Sequence, residues 1–196
     1  MRNDNDSVSP RHIYDVLIVG AGPVGLATAV GLRKRGITNI LVIDQTREFR
    51  RVGQGVDLLP NGLRALKYID SEAYEKIKET ALNTVQAPGN KNPASSSGEI
   101  KEKPAPPSQK RWRQKNLHGK TTRSFPTDFQ SWLDRYGEGR VSISWFALQT
   151  TLRSLLPPEI VQANHRCVHV EEEAEWVRID SLSDAAISTN SFAQRI

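Results

Sequence analysis

Cysteine is nearly absent from this sequence: Cys167 is the single one among 196 residues. A disulfide framework within the chain is thereby excluded. Long apolar runs are missing as well. No uncharged hydrophobic stretch reaches the ~18 residues needed to cross a bilayer. The N-terminus, Met1-Arg2-Asn3-Asp4-Asn5-Asp6, has no apolar signal core, so export is not expected and the expected setting is a reducing cytoplasm. There is no glycine period, no sustained heptad and no internal repeat, which excludes collagen-like, coiled-coil and repeat architectures. What remains is a globular chain with an ordinary 25% of charged residues, long enough for one domain and an accessory piece.

The formal net charge of +5 is not spread evenly. Between Gln86 and Lys115, Lys91, Lys101, Lys103, Lys110, Arg111, Arg113 and Lys115 face only Glu99 and Glu102. This one segment carries the whole excess. It also holds Pro88, Pro93, Pro104, Pro106, Pro107 and the run Ser95-Ser96-Ser97, with almost no aliphatic residues. Such a stretch cannot bury enough apolar surface to offset its ordering entropy and reads as a disordered or loosely extended linker. Its end, Lys110-Arg111-Trp112-Arg113-Gln114-Lys115, mixes cations with an aromatic. One short run lacks the broad basic face that phosphate tracking requires, so no nucleic-acid partner is expected.

Around the linker the pattern alternates strand and helix. Tyr14–Val19 (YDVLIV) is a short apolar, β-branched run, the pattern of a buried parallel strand. Pro23–Arg35 reads as a helix: proline suits its first turn, cations crowd its last turn, and Gly36 ends it. Asn39–Ile43 (NILVI) is a second buried strand closing on Asp44. Together these make a right-handed βαβ unit. Gly53–Asp57 (GQGVD) reads as a glycine-hinged loop, 61–69 and 73–82 as helices. Val141–Ser144 reads as a strand and Trp145–Leu156 as a helix stopped by Pro157-Pro158. Val161, Val168–Glu171 and Glu175–Ile179 read as strands, the last two as a hairpin. The tail 181–196 is polar and without clear periodicity.

The strongest chemical signal is Gly20-Ala21-Gly22-Pro23-Val24-Gly25, a G-x-G-x-x-G. It follows a predicted strand, opens a predicted helix, and is followed by an acidic residue at the end of the next strand, which is the context the motif requires. Gly20 permits the tight turn, Gly22 lets a pyrophosphate approach the backbone, and Gly25 lets the helix pack on the strand. The helix N-terminus offers free N–H groups to the phosphates. Asp44, 19 residues after Gly25, is placed to accept ribose hydroxyls. A carboxylate there disfavours an adenosine 2′-phosphate, since two anions would share one pocket. The fingerprint by itself leaves FAD and NAD both open.

The run from Tyr14 to Asp44, followed by Arg50-Arg51-Val52-Gly53-Gln54-Gly55-Val56-Asp57-Leu58-Leu59-Pro60-Asn61-Gly62-Leu63, resembles the FAD-binding domain of the class A flavoprotein monooxygenases, the para-hydroxybenzoate hydroxylase family. Val141-Ser142-Ile143-Ser144-Trp145-Phe146-Ala147-Leu148-Gln149 is similar to that family's strand-to-helix segment returning to the flavin. The resemblance implies an α/β, Rossmann-like FAD/NAD(P)-binding fold with a parallel sheet, incomplete here. It implies FAD as cofactor, its AMP half on Gly20, Gly22, Pro23, Val24, Gly25 and Asp44. Arg51, Gln54, Gly55 and Gln149 would lie nearer the diphosphate or flavin. NAD(P)H is the implied reductant and O2 the co-substrate, for hydroxylation or epoxidation of a small organic molecule.

The sequence also departs from the family. Many members carry Arg where this chain has Trp145, a position that contacts cofactor; for Trp145 itself both stacking and plain packing stay open, packing being favoured. The family's later Asp-Gly and Gly-Asp dipeptides are absent. The resemblance thus implies a truncated, inactive copy or an N-terminal fragment. The expected organisation is a polar leader at 1–12, a first part of the FAD-binding domain at 13–85, the basic linker at 86–118, a continuation at 119–180 and a polar tail at 181–196. Two alternatives stand beside it: an NAD-binding dehydrogenase fragment, and a non-enzymatic interaction protein docking through the linker. His165, Cys167 and His169 alternate along one predicted strand face, but the outer pair spans ~13 Å at ~3.3 Å per residue, too far to share one metal ion. No metal is expected, and no catalytic residue is assigned.

Overall fold

The computed structural model describes residues 12–51, 53–86, 111–172, 175–183 and 186–195. In chain order the elements begin with β1 (Ile13–Tyr14), β2 (Val16–Val19), α1 (Pro23–Lys34), β3 (Ile40–Ile43), β4 (Gly55–Leu58), α2 (Pro60–Ile69) and α3 (Ser71–Gln86). They continue with β5 (Arg111–Lys115), β6 (Thr121–Pro126), α4 (Phe129–Tyr136), β7 (Val141–Ser144) and α5 (Trp145–Arg153). A 3-10 turn at Pro158–Ile160 leads to β8 (Val161–Gln162), β9 (Arg166–Glu172), β10 (Trp176–Ser183) and β11 (Ala186–Arg195). Two compact units result: Met1–Gly53 with Trp145–Ile196, and Gln54–Ser144.

The first unit is built on the expected βαβ. β2, β3 and β8 form a parallel sheet in the order β2-β3-β8, with Val16 opposite Ile40 and Val42 opposite Val161. All four residues of β3 are buried, as a strand covered on both faces must be. α1 buries Leu26, Ala29, Val30 and Gly31, and α5 buries Leu148 and Leu152. A second sheet, ordered β1-β11-β10-β9, pairs β9, β10 and β11 antiparallel and closes with β1 parallel to β11. Leu17, Leu41, Ile43 and Ile179 form the core shared by the two sheets.

The second unit holds the antiparallel pair β4–β7, the helices α2, α3 and α4, and the hairpin β5–β6. Asp70 caps α3, accepting the Ala73 N–H at 2.8 Å. Asp128 caps α4, accepting from the Ser131 N–H, and Gly137 ends that helix in the left-handed region at φ 68°. Behind β7, the buried Tyr74 hydroxyl donates to Glu138 at 3.1 Å.

Three expectations from sequence are corrected. The glycine-hinged loop at 53–57 is half strand: from Gly55 the chain is β4, because Val56, Asp57 and Leu58 pair with Ile143, Ser142 and Val141. Arg111–Lys115, assigned to the disordered linker, is β5; its backbone groups are satisfied by β6, with Trp112 opposite Phe125 and Arg113 opposite Ser124. The tail, read as polar and without clear periodicity, holds the end of β10, which runs on to Ser183, and β11, which pairs antiparallel with β10 and, at Ala193 and Gln194 alone, parallel with β1. A polar strand held mainly by its backbone ladder leaves no local periodicity to read. α5 also ends at Arg153 rather than 156, its last turns tightening through Leu155 N–H to Leu152 O and Leu156 N–H to Arg153 O. The leader at 1–11 and the linker stretch 87–110 lie outside the described residues.

Candidate functional site

The three glycines of the fingerprint are needed for three different reasons. Gly20 sits at φ +111°, a conformation side chains rarely adopt, and its N–H continues the sheet by donating to Ile43 O at 2.7 Å. Gly25 is demanded by packing: a Cβ there would collide with the Gly20 carbonyl oxygen. Gly22 is different. A Cβ there would meet its nearest neighbour, Cζ2 of Trp145, at 3.7 Å, an ordinary contact. The fold does not require that Cα to be bare, so the reason left for glycine is something approaching from outside.

Pro23 occupies the first turn of α1 and Gly22 is its N-cap, with no side-chain cap bond and no acidic residue in the first turn. The N–H groups at this end therefore stay available to an anion. Val24 is exposed on the same turn.

Asp44 faces the glycine loop. Its Oδ2 accepts the Ala21 N–H at 2.7 Å and its Oδ1 accepts the Thr46 N–H at 2.7 Å. Its own backbone is fixed on the other side, N–H to Gln162 O at 3.0 Å and O from His165 N–H at 2.8 Å. Each carboxylate oxygen keeps acceptor capacity beyond its one bond. Beside Asp44 opens a cleft of about 280 Å³ lined by Val19, Gly20, Asp44, Gln45, His165, Arg166 and Cys167. That volume is near the lower bound of roughly 300 Å³ usual for small-molecule pockets.

Gln149 reaches the loop from α5, its Nε2 donating to Ala21 O at 2.7 Å. Arg51 is exposed and lies 5.8 Å over the ring of Phe146 on the same helix. The structure thus brings Gly20, Gly22, Pro23, Val24, Gly25, Asp44 and Gln149 together, with Arg51 beside the first turn of α5. Gln54 and Gly55 belong to the other unit, both exposed, with Gly55 opposite Ser144. His165 precedes β9, which carries Cys167 and His169, and its Nδ1 is paired with Ala163 O at 2.8 Å. No cluster of metal-binding side chains is present among the described residues. The cleft wall at His165–Cys167 was invisible as such in the sequence, since more than a hundred residues separate it from Asp44.

A family model described as an FAD binding domain matches residues 13–114. The chain belongs to this FAD-binding domain family. Curated relatives agree with that membership. The chain is similar to the dual trans-enoyl reductase/FAD-dependent monooxygenase tazHJ of Aspergillus terreus, at 40% identity over 68 residues, 35% of this chain and 10% of that protein. It is similar to the 3-amino-4-hydroxybenzoate 2-monooxygenase PtmB3 of Streptomyces platensis at 24% over 174 residues, covering 87% of this chain and 37% of that one. Among solved structures, the p-nitrophenol 4-monooxygenase PnpA of Pseudomonas putida superposes with a TM-score of 0.64 at 17% identity, covering 93% of this chain and 39% of that one. HpxO of Klebsiella pneumoniae, solved with FAD and uric acid, gives 0.59 at 19%, covering 91% and 37%. These structural matches establish the Rossmann-like fold of the FAD-binding domain. The chain spans 10% to 37% of the length of the curated relatives named here. No helix among the described residues is long and apolar enough to cross a membrane.

Proposed function

We propose that this FAD-binding domain seats the AMP half of FAD on the Gly20–Gly25 loop and serves a flavin-dependent monooxygenase reaction. The observation that carries the reading is the bare Gly22 Cα at an uncapped helix start, with the Asp44 carboxylate turned toward the same loop. In this reading the α1 N-terminus takes the diphosphate, Asp44 accepts ribose hydroxyls with its remaining acceptor capacity, and the adenosine end lies in the cleft against His165–Cys167. Gln149 positions the loop by holding the Ala21 carbonyl. Arg51 serves the cofactor beyond the diphosphate. The flavin, when bound, supplies the redox and oxygen chemistry, and the protein's share is binding, orientation and control of water access. NAD(P)H is the proposed reductant, a small organic molecule the proposed substrate, and the cytoplasm the proposed setting.

Titration of the purified chain with FAD, followed by flavin fluorescence and calorimetry, tests the cofactor step. Saturable binding of FAD, with NADH binding much more weakly, is the expected result. Asp44→Ala should weaken FAD at least about tenfold, the scale of losing a charge-assisted hydrogen bond. Tight NADH binding without FAD binding would turn the assignment to the dehydrogenase alternative.

A further inference from the structure

The β5–β6 hairpin gathers charge of one sign. Residues 111–126 hold Arg111, Arg113, Lys115, Lys120 and Arg123, and no Asp or Glu. Side chains alternate along a strand, so Arg111, Arg113 and Lys115 share one face of β5. Opposite them stand Pro126, Ser124 and Thr121, all neutral. Alternate strand residues lie about 7 Å apart, inside the roughly 10 Å screening length of 0.1 M salt, so these cations repel one another. Arg111 is tied to Ser124, its Nε donating to Oγ at 2.8 Å, and the Asp128 carboxylate attracts it. Arg113, Lys115, Lys120 and Arg123 are exposed and make no ion pair among the described residues.

The tip of the hairpin is firmly built. The Asn116 N–H donates to Lys120 O at 2.9 Å, and Asn116 Oδ1 accepts the His118 and Lys120 N–H groups, each at 3.0 Å. Gly119 completes the turn at φ +76°. This closed turn holds Leu117 outward at 103% exposure, and the leucine side chain takes no part in its bonds. At the other end, Trp112 stacks on the buried Arg140 guanidinium, 4.6 Å from the ring, and fastens the hairpin to its unit. An uncovered leucine flanked by unpaired cations matches an anionic bilayer, where cations meet the headgroups and the apolar side chain enters the acyl boundary. A nucleic-acid strand would satisfy the cations, but its binding platforms are aromatic, and an aliphatic tip gives a base nothing to stack on.

We propose that the β5–β6 hairpin docks this domain on an anionic lipid surface. Leu117 is the apolar anchor, and Arg113, Lys115, Lys120 and Arg123 bind the headgroup anions around it. The docking is peripheral, and it is independent of the cofactor reading of the Gly20–Gly25 loop.

Co-sedimentation of the full chain with vesicles checks this, using an equal mixture of phosphatidylserine and phosphatidylcholine against phosphatidylcholine alone. Binding should require phosphatidylserine and weaken steeply as salt rises. Combined Arg113→Gln, Lys115→Gln and Lys120→Gln should weaken it about a hundredfold, at roughly 1 kcal/mol per cation near the surface. Lys91→Gln, Lys101→Gln and Lys103→Gln remove the same charge from a stretch that also carries Glu99 and Glu102, and should cost less than about tenfold. Leu117→Ser leaves the charge untouched and should weaken binding about tenfold. Thermal melts and FAD titrations of these variants should match wild type, which separates the hairpin from the fold and the cofactor site. Equal binding to both vesicles, an equal loss in the 91/101/103 variant, or no loss in Leu117→Ser overturns the proposal. So does an oligodeoxythymidylate that binds more tightly than the vesicles and displaces them.

Discussion

Single glycines separate what the fold needs from what a ligand needs. Gly25→Ala drives a methyl group into the Gly20 carbonyl, so the loop or α1 must shift; the expected loss is about 3 kcal/mol or more of stability. Gly22→Ala has ordinary room in the folded chain, so its stability should stay within about 1 kcal/mol of wild type. Its FAD affinity should nonetheless fall, because the added methyl stands where the diphosphate approaches. Urea midpoints beside FAD titrations of the two variants check this. Equal destabilisation of both would show that the loop is glycine-rich for folding alone. The same scale explains why Asp44 was legible: a carboxylate at a strand end after a glycine turn has few structural reasons to be there. Its bonds to the Ala21 and Thr46 N–H groups show that it also ties the loop to the strand, which no spacing rule conveys.

At the scale of elements, local patterning carried β2, α1, β3, β7 and α5, because each has an apolar face or a capped end written within a dozen residues. It failed for β4, β5 and β11. Those strands are polar or glycine-bearing and exist through their backbone ladders: β4 pairs with a strand 85 residues on, Asp57 opposite Ser142, and β5 pairs in a hairpin with β6, Arg111 opposite Pro126. The β4–β7 pair also carries a charge cluster. Arg140, only 6% exposed, donates to Asp57, to Ser142 Oγ at 3.1 Å and to Thr127 O at 2.8 Å, with the Trp112 ring 4.6 Å away. Burial alone would push the Asp57 carboxyl up. Hydrogen bonds from Arg140 and Ser142, with the Arg140 charge, outweigh it and hold the carboxyl below the usual carboxylate range. The stability this gives is present above the unfolded-state value of about 3.9 and is lost as pH falls through the lower folded value. Asp57→Asn should therefore destabilise by about 2 kcal/mol at pH 7, the buried-pair cost reduced for the partial exposure of Asp57. The gap between variant and wild type should narrow as the urea series is carried below pH 4. A gap independent of pH would remove the ion pair from the account.

For the whole molecule, stability is expected to be unequal. The parallel β2-β3-β8 sheet is wrapped by buried aliphatics, and β3 has no exposed residue. In β5 every side chain is exposed, and its sheet has only two strands. Two-stranded hairpins are marginal by themselves. Amide hydrogen exchange should be slowest in Ile40–Ile43 and fast across Arg111–Lys115 and Thr121–Pro126, by the logic of local opening. Similar protection in both would mean that the hairpin is held by more than its own ladder.

The parallel pairing of Ile13 with Ala193 and Tyr14 with Gln194 has a temporal consequence. During synthesis β1 emerges about 180 residues before the part of β11 that pairs with it. At roughly 5–20 residues per second on a ribosome, it waits on the order of ten seconds or more with an unsatisfied edge. Completion of that sheet waits until position 194 has been made, and a growing polypeptide that stalls before position 193 holds the βαβ core without its closing seam.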